Sequence, residues 1–322
     1  EGLTLNGGTV ATSTGTSSFA GTVALGAGGG TASVSGTALT LSGAISGTTG
    51  LTKTGSGSLT LSGTNTFTGG LVIGTASGAD AGTIVNGSTA ALGAANNVTI
   101  YGGTLSMGAN AETIGSLTLG GGASGSTASV TGTTGTLTLG GDVSFSATNN
   151  PNGATISAPL ALGATRTFTV GDSSAATADL TVSGVISGTG FGVTKAGAGT
   201  LLLSGANTFT GATTVNAGTL RATTSADALG TGAATLTLGG GTLELANDTG
   251  LSFNRNTTVS TSSTVVSDRL TAGAGVTQTL GTLSIGAQTL TVSAGTNVTS
   301  GTAGVTFGAT TLSATEIGRA HV

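Results

Sequence analysis

Thr52-Lys53-Thr54-Gly55-Ser56-Gly57-Ser58-Leu59-Thr60-Leu61-Ser62-Gly63-Thr64-Asn65-Thr66-Phe67-Thr68-Gly69 returns with few changes as Thr194-Lys195-Ala196-Gly197-Ala198-Gly199-Thr200-Leu201-Leu202-Leu203-Ser204-Gly205-Ala206-Asn207-Thr208-Phe209-Thr210-Gly211. Leu59 and Leu61 flank Thr60 in the first copy, and a spacing of two marks a half-buried strand. Leu117-Thr118-Leu119-Gly120, Leu137-Thr138-Leu139-Gly140, Leu236-Thr237-Leu238-Gly239 and Leu290-Thr291-Val292-Ser293 repeat the pattern, each broken by Gly or Ser within a few residues. Thr and Val favour the pleated backbone, whereas each Gly costs a helix interior up to about 1 kcal/mol. The chain is therefore expected to be all-β, with helices nearly absent.

Similarity between the copies extends outward, to about 41–107 and 182–246. Leu41-Ser42-Gly43-Ala44-Ile45-Ser46-Gly47 precedes the first copy and Val182-Ser183-Gly184-Val185-Ile186-Ser187-Gly188 the second. Ala91-Leu92-Gly93 follows one, and Ala228-Leu229-Gly230 the other. A duplicated order of short strands points to stacked coils, in which each strand pairs with its counterpart in the next coil at about 4.8 Å. With about 20 to 25 residues per coil, the chain would form roughly 13 to 16 coils. A slender core needs Leu, Val, Ile and Ala, which fits the absence of Trp and the single Tyr101. Phe67 and Phe209 are expected to plug the core or a corner, and Gly, Asn and Asp to supply tight bends. Among other all-β folds, a membrane barrel wants strands of about 9 to 11 residues and aromatic girdles. A β-sandwich, which favours longer strands and bulkier aromatics, stays open.

Charge and composition narrow the setting. The 322 residues include 62 Gly, only two Pro, seven Lys or Arg and eleven Asp or Glu. Glycine has no period of three, so collagen is excluded. A mean hydropathy of +0.38 with a net charge of -4 argues against a charge-solvated disordered chain. A pI near 4.6 without clustered basic residues excludes a nucleic-acid footprint. Cys is absent, so disulfides, thiolate zinc sites and thiol nucleophiles are excluded, and no apolar run is long enough for a transmembrane helix. Glu1 opens the chain with neither Met nor a signal peptide, which reads as an internal fragment, so that any secretion signal would lie upstream. Residues 1–315 read as one solenoid. Residues 316–322, Glu316-Ile317-Gly318-Arg319-Ala320-His321-Val322, resemble the translation of a short sequencing adapter (GAG-ATC-GGA-AGA-GCA-CAC-GTC) and read as a non-native tail. On that reading the protein continues past about Thr315, and its only histidine carries no chemistry.

The string Gly-x-Gly-(Ser/Thr)-Leu-x-Leu-Ser-Gly-x-Asn-Thr-Phe-Thr-Gly, at Gly55 to Ile73 and Gly197 to Leu220, resembles the passenger-associated repeat of bacterial autotransporters. Phe67 and Phe209 stand where that repeat more often has Tyr. The resemblance implies a right-handed parallel β-helix displayed outside a Gram-negative bacterium, whose partner would be a C-terminal outer-membrane translocator barrel that this stretch lacks. It further implies a surface-displayed or secreted passenger acting as a structural or adhesive stalk, with repeats that aid export and folding outside the cell.

The residues themselves offer little chemistry. The acids Asp80, Glu112, Asp142, Asp172, Asp179, Asp227, Glu244, Asp248 and Asp268 are scattered, as are Arg166, Arg221, Arg255 and Arg269. Only Asp172 with Asp179, and Glu244 with Asp248, are close enough in sequence to gather. No catalytic, cofactor-binding or metal-binding residue is assigned, and no enzyme is expected; a polysaccharide-acting enzyme is the remotest reading. Lys53 and Lys195 occupy equivalent positions and are expected to be structural or to sit at a rim. Gly28-Gly29-Gly30, Gly120-Gly121-Gly122 and Gly239-Gly240-Gly241 lack the continuation of a phosphate loop and read as turns. Asn97, Asn256 and Asn297 match a glycosylation pattern to which no role is assigned. Candidate partners are other copies of the chain, or host and surface glycans. The alternative function is glycan or ice binding by Thr ladders, against which the irregular spacing of the copies counts, because aligned ladders call for a constant repeat.

Overall fold

The structure is a computed structural model, described here for residues 1–78, 81–93 and 95–312. The proposed foreign tail at 316–322 and Asp80 lie outside the described residues. Short strands dominate, and the described residues contain no helix. The chain divides into two compact units, Glu1–Gly163 with Ser173–Asp179, and Ala164–Asp172 with Leu180 onward. Each is a parallel β-solenoid, as the alternating pattern and duplication predict.

In the first unit one long sheet stacks Gly8–Thr12, Gly30–Val34, Leu51–Thr54, Leu71–Ile73, Val98–Ile100, Leu117–Gly120 and Val143–Ser146 in chain order, all parallel. A second sheet stacks Thr16–Phe19, Ala38–Leu41, Ser58–Leu61, Thr83–Asn86, Gly103–Ser106, Ala128–Thr131 and Ala154–Ile156. Shorter strands close a third side, among them Glu112–Ile114, Leu137–Leu139 and Leu160–Leu162. The second unit repeats the plan. Its first sheet runs from Arg166–Val170 through Val193–Ala196, Thr213–Val215, Leu236–Gly239, Thr257–Thr261 and Leu283–Ile285 to Thr310–Leu312. Its second sheet runs from Leu180–Val182 through Thr200–Leu203, Thr219–Thr223, Thr242–Ala246 and Ser263–Asp268 to Leu290–Ala294.

Period two sorts the side chains. Leu39, Leu59, Ile84, Leu105, Val130 and Ile156 pair in register and are at most 3% exposed. Leu180, Leu201, Leu220, Leu243 and Val265 form the matching column of the second unit. Full burial of each such side chain contributes about 1.5–3 kcal/mol. Coil length varies, 20 residues from Ala38 to Ser58 and 26 from Ser129 to Thr155, and the turns absorb the difference. Several turn asparagines stitch one coil to the next: Asn97 Oδ1 accepts from the Ser116 N–H at 2.9 Å, and Asn256 Oδ1 from Thr282 at 3.0 Å. Asn297 donates to the Arg269 carbonyl at 2.8 Å. The side chains of the three glycosylation-like asparagines thus serve the stack.

Candidate functional site

The duplicated sequence builds the same buried polar clamp twice. In the first unit Asn65 is 4% exposed; its Oδ1 accepts from the Ile45 N–H at 2.7 Å, and its Nδ2 donates to the Ala91 carbonyl at 2.6 Å. Ile45 belongs to the preceding coil and Ala91 to the following one. In the second unit Asn207 accepts from Ile186 at 2.8 Å and donates to Ala228 at 2.7 Å. One amide, carrying both donor and acceptor, thereby ties three coils together where the backbone leaves the regular ladder. The main chain is held as well, since Thr66 N–H donates to the Ile45 carbonyl and Thr208 N–H to that of Ile186, both at 2.8 Å.

Two residues on, Phe67 and Phe209 are fully buried, as the sequence leads one to expect. Each ring lies against a glycine of the next coil. Gly230 has φ +87°, and a Cβ there would stand 2.5 Å from the Phe209 ring; at Gly93, with φ +81°, a Cβ would meet the Asn96 amide and the Phe67 carbonyl first and the Phe67 ring at 3.2 Å. The Ala-Leu-Gly that follows both copies is explained by this close approach, which leaves no room for a side chain.

Lys53 and Lys195 are core residues. Each sits in an inward column of the first sheet, Lys53 between Ala32 and Ile73, Lys195 between Phe168 and Val215, and both are 0% exposed. The expected structural role is met, but the place is the interior and not a rim. An ammonium has three donors, and each finds a carbonyl: for Lys53 those of Thr54 (3.1 Å), Gly55 (2.6 Å) and Ala81 (2.5 Å). Lys195 donates to Ala196 (2.8 Å), Gly197 (2.7 Å) and Ala217 (3.0 Å). Gly55 and Gly197, at φ +78° and +77°, make the turn that places these carbonyls at the Nζ.

Burial pushes the Lys53 ammonium down to about 8 from an ordinary 10.5. Between those values the unfolded chain holds the proton and the folded chain does not, so this group makes stability rise with pH across the window; below about 8 the cost of burying the charge is fully present. Denaturant midpoints at intervals from pH 7 to 10 test this. The stability of the wild type relative to Lys53→Met should climb with pH, and a flat or falling difference contradicts the assignment.

The remaining charges also serve the coils. Arg255, 1% exposed, donates to the Thr231 and Gly211 carbonyls, each at 2.9 Å, and its burial lowers the guanidinium pKa. Arg221 and Glu244 face each other across paired strands, Nε to Oε1 3.0 Å. Burial pushes the Glu244 carboxyl up, Arg221 opposes that, and Asp268 adds to it. Asp248 turns instead to the Leu270 and Thr271 amides and the Thr271 hydroxyl, and these bonds, that of the Thr271 N–H foremost, with Arg269 nearby, hold its carboxyl below the usual range. Glu244 and Asp248, four residues apart in sequence, are thus engaged by different partners. Asp179 accepts from the Ser173 N–H at 2.7 Å. A cleft of about 390 Å³ in the first unit is bordered by Asn65, Thr89, Glu112 and Thr138. Burial raises the Glu112 carboxyl, whose Oε1 accepts from the Leu92 N–H at 3.0 Å. Among the described residues no three His, Asp or Glu side chains gather as a metal site would require.

Outside the coils, hydroxyls align despite the unequal coil lengths, which corrects the expectation that irregular spacing would break the ladders. On the second sheet of the first unit, Thr83 pairs with Ser58 on one side and Thr104 on the other, and Thr104 with Ser129. A second outward column places Thr40 beside Thr60, Thr60 beside Val85, and Ser106 beside Thr131. On the first sheet of the second unit, Thr194, Thr214, Thr237, Thr258 and Ser284 are in register. Register is set by strand pairing, so residues added in a turn leave a column intact.

No curated protein and no solved structure matches the chain. One family model does: the passenger-associated-transport-repeat matches residues 51–87 and 193–222, the two stretches that supply Lys53, Asn65 and Phe67, and Lys195, Asn207 and Phe209, and it is the repeat that the duplicated sequence resembles.

Proposed function

We propose that this chain is part of an autotransporter passenger, displayed outside a Gram-negative cell as a non-catalytic structural or adhesive element. The observation that carries the reading is the clamp repeated at Asn65 and Asn207 inside the two matched stretches. Such a passenger crosses the outer membrane extended, through a translocator barrel supplied by the remainder of its protein, and folds outside. Each clamp needs the coil before it and the coil after it, so it forms as three coils emerge and opposes their return. A chain without Cys cannot lock cross-links before export, and one with few charges has little to desolvate as it coils. The ionisable side chains described above are spent on turns and coil-to-coil contacts, which supports a role without catalysis.

Fusing the chain to a translocator barrel tests both halves of the reading. Cells displaying it should clump or attach to surfaces more than cells displaying an unrelated passenger at the same density; equal behaviour removes the adhesive role. The double variant Asn65→Leu with Asn207→Leu should reach the surface more slowly, and unchanged surface yield removes the export role.

A further inference from the structure

The sequence contains three Asn-Gly steps, Asn6-Gly7, Asn86-Gly87 and Asn152-Gly153, and the fold treats them differently. At such a step the glycine nitrogen, unshielded by a Cβ, can attack the carboxamide carbon of the asparagine before it. Attack needs a glycine N–H free of other bonds and an asparagine open to water. Gly7 donates its N–H to the Gly29 carbonyl and Gly87 to that of Leu61, both at 2.8 Å. Asn6 is held further through its Oδ1, which accepts from the Gly28 N–H at 2.8 Å, and Asn86 is only 2% exposed. Asn152 alone of the three combines an exposed side chain with a following N–H, that of Gly153, which finds no acceptor among the described residues. From this contrast we propose that Asn152 is a site of spontaneous covalent modification, where the chain converts its own asparagine into aspartate and isoaspartate, independently of the passenger role.

Hydroxide takes the Gly153 N–H proton, the nitrogen bonds to Asn152 Cγ, and Nδ2 leaves as ammonia with a proton from water. Water then opens the cyclic imide at either carbonyl. Breaking the new bond gives aspartate; breaking the original peptide bond gives isoaspartate, with the main chain rerouted through the side chain. In sum one water is consumed and one ammonia released. Asn152 Nδ2 donates to the Gly125 carbonyl of the preceding coil at 3.0 Å, a bond that either product loses. The surroundings keep the step exposed to this reaction. Gly153 has φ +95°, and a Cβ there would stand 3.0 Å from the Ala178 carbonyl oxygen, so a side chain that would shield the nitrogen is kept out. Neighbours in the same turn are protected: the Asn150 N–H that follows Asn149 donates to the Ala147 carbonyl at 2.9 Å, and Pro151, after Asn150, has no N–H with which to attack.

The test compares the full chain aged in mildly alkaline buffer, at a pH where circular dichroism shows it to stay folded, with the same chain aged in guanidinium chloride. Peptide mass spectrometry, with fragmentation that separates aspartate from isoaspartate, reads each Asn-Gly step. In the folded chain Asn152 should convert about tenfold faster than Asn6 or Asn86, whose glycine N–H must first give up a hydrogen bond. In the denaturant all three glycines are equally free, and the three rates should draw close to parity. Isoaspartate should accompany aspartate at residue 152, as opening of a cyclic imide requires. An unconverted Asn152 in the folded chain overturns the proposal, as does an Asn6 or Asn86 that keeps pace with it. The same preference for Asn152 in denaturant also overturns it, by tracing the selectivity to neighbouring sequence and not to the fold. Aspartate without isoaspartate would mean that water, and not the Gly153 nitrogen, attacks the amide.

Discussion

Asn207→Leu should destabilise the second unit by about 2–5 kcal/mol, because the substitution strips the partner from two buried backbone groups at once. The Ile186 N–H loses its acceptor and the Ala228 carbonyl its donor, both in positions that water does not reach. Leucine is close in size, so the loss measures hydrogen bonding more than volume. The effect should be local, since a solenoid couples each coil chiefly to its neighbours. Amide hydrogen exchange over 180–246 is the measurement: protection there should fall by a factor on the order of 30 to several thousand, while the copy at 41–107 serves as internal control. Exchange unchanged near Ile186 would show that the amide clamps nothing. Asn207→Asp sharpens the test, because a carboxylate still accepts from Ile186 but offers no donor to Ala228.

The second large effect is expected at the aromatic plug. Phe209→Ala should cost about 3–5 kcal/mol through lost burial and the cavity left behind. The ring is fully buried, and its neighbour Gly230 cannot fill the gap, since its φ of +87° suits glycine alone. Calorimetry or denaturant unfolding would show the loss. Phe209→Tyr should be far milder wherever the added hydroxyl finds a partner; the residue more usual in the related repeat is Tyr. A Phe209→Ala protein as stable as the wild type would mean that the coil collapses around the site, and that Phe209 does not plug it.

These residues also show how far the sequence reaches. Alternation at Leu59-Thr60-Leu61 and the duplicated string around Asn207 specify an all-β coil, because a spacing of two has one physical meaning and a repeated order of strands stacks most simply upon itself. The same alternation places Lys53, two residues after Leu51, on the inward side, yet the usual cost of burying an ammonium points the other way. Only the three carbonyls at its Nζ resolve the conflict. Sequence spacing pairs Glu244 with Asp248, while the fold pairs Glu244 with Arg221 and Asp248 with Arg269.

What the chain's letters determine by themselves is local: which residues are strand, which side of a strand each occupies, and where the backbone must bend. Tertiary structure decides which residue stands beside which in the next coil. That register is fixed by hydrogen bonding between strands 19 to 27 residues apart, with the turns taking up every difference in length, so ladders such as Thr83 beside Thr104 arise from irregular spacing.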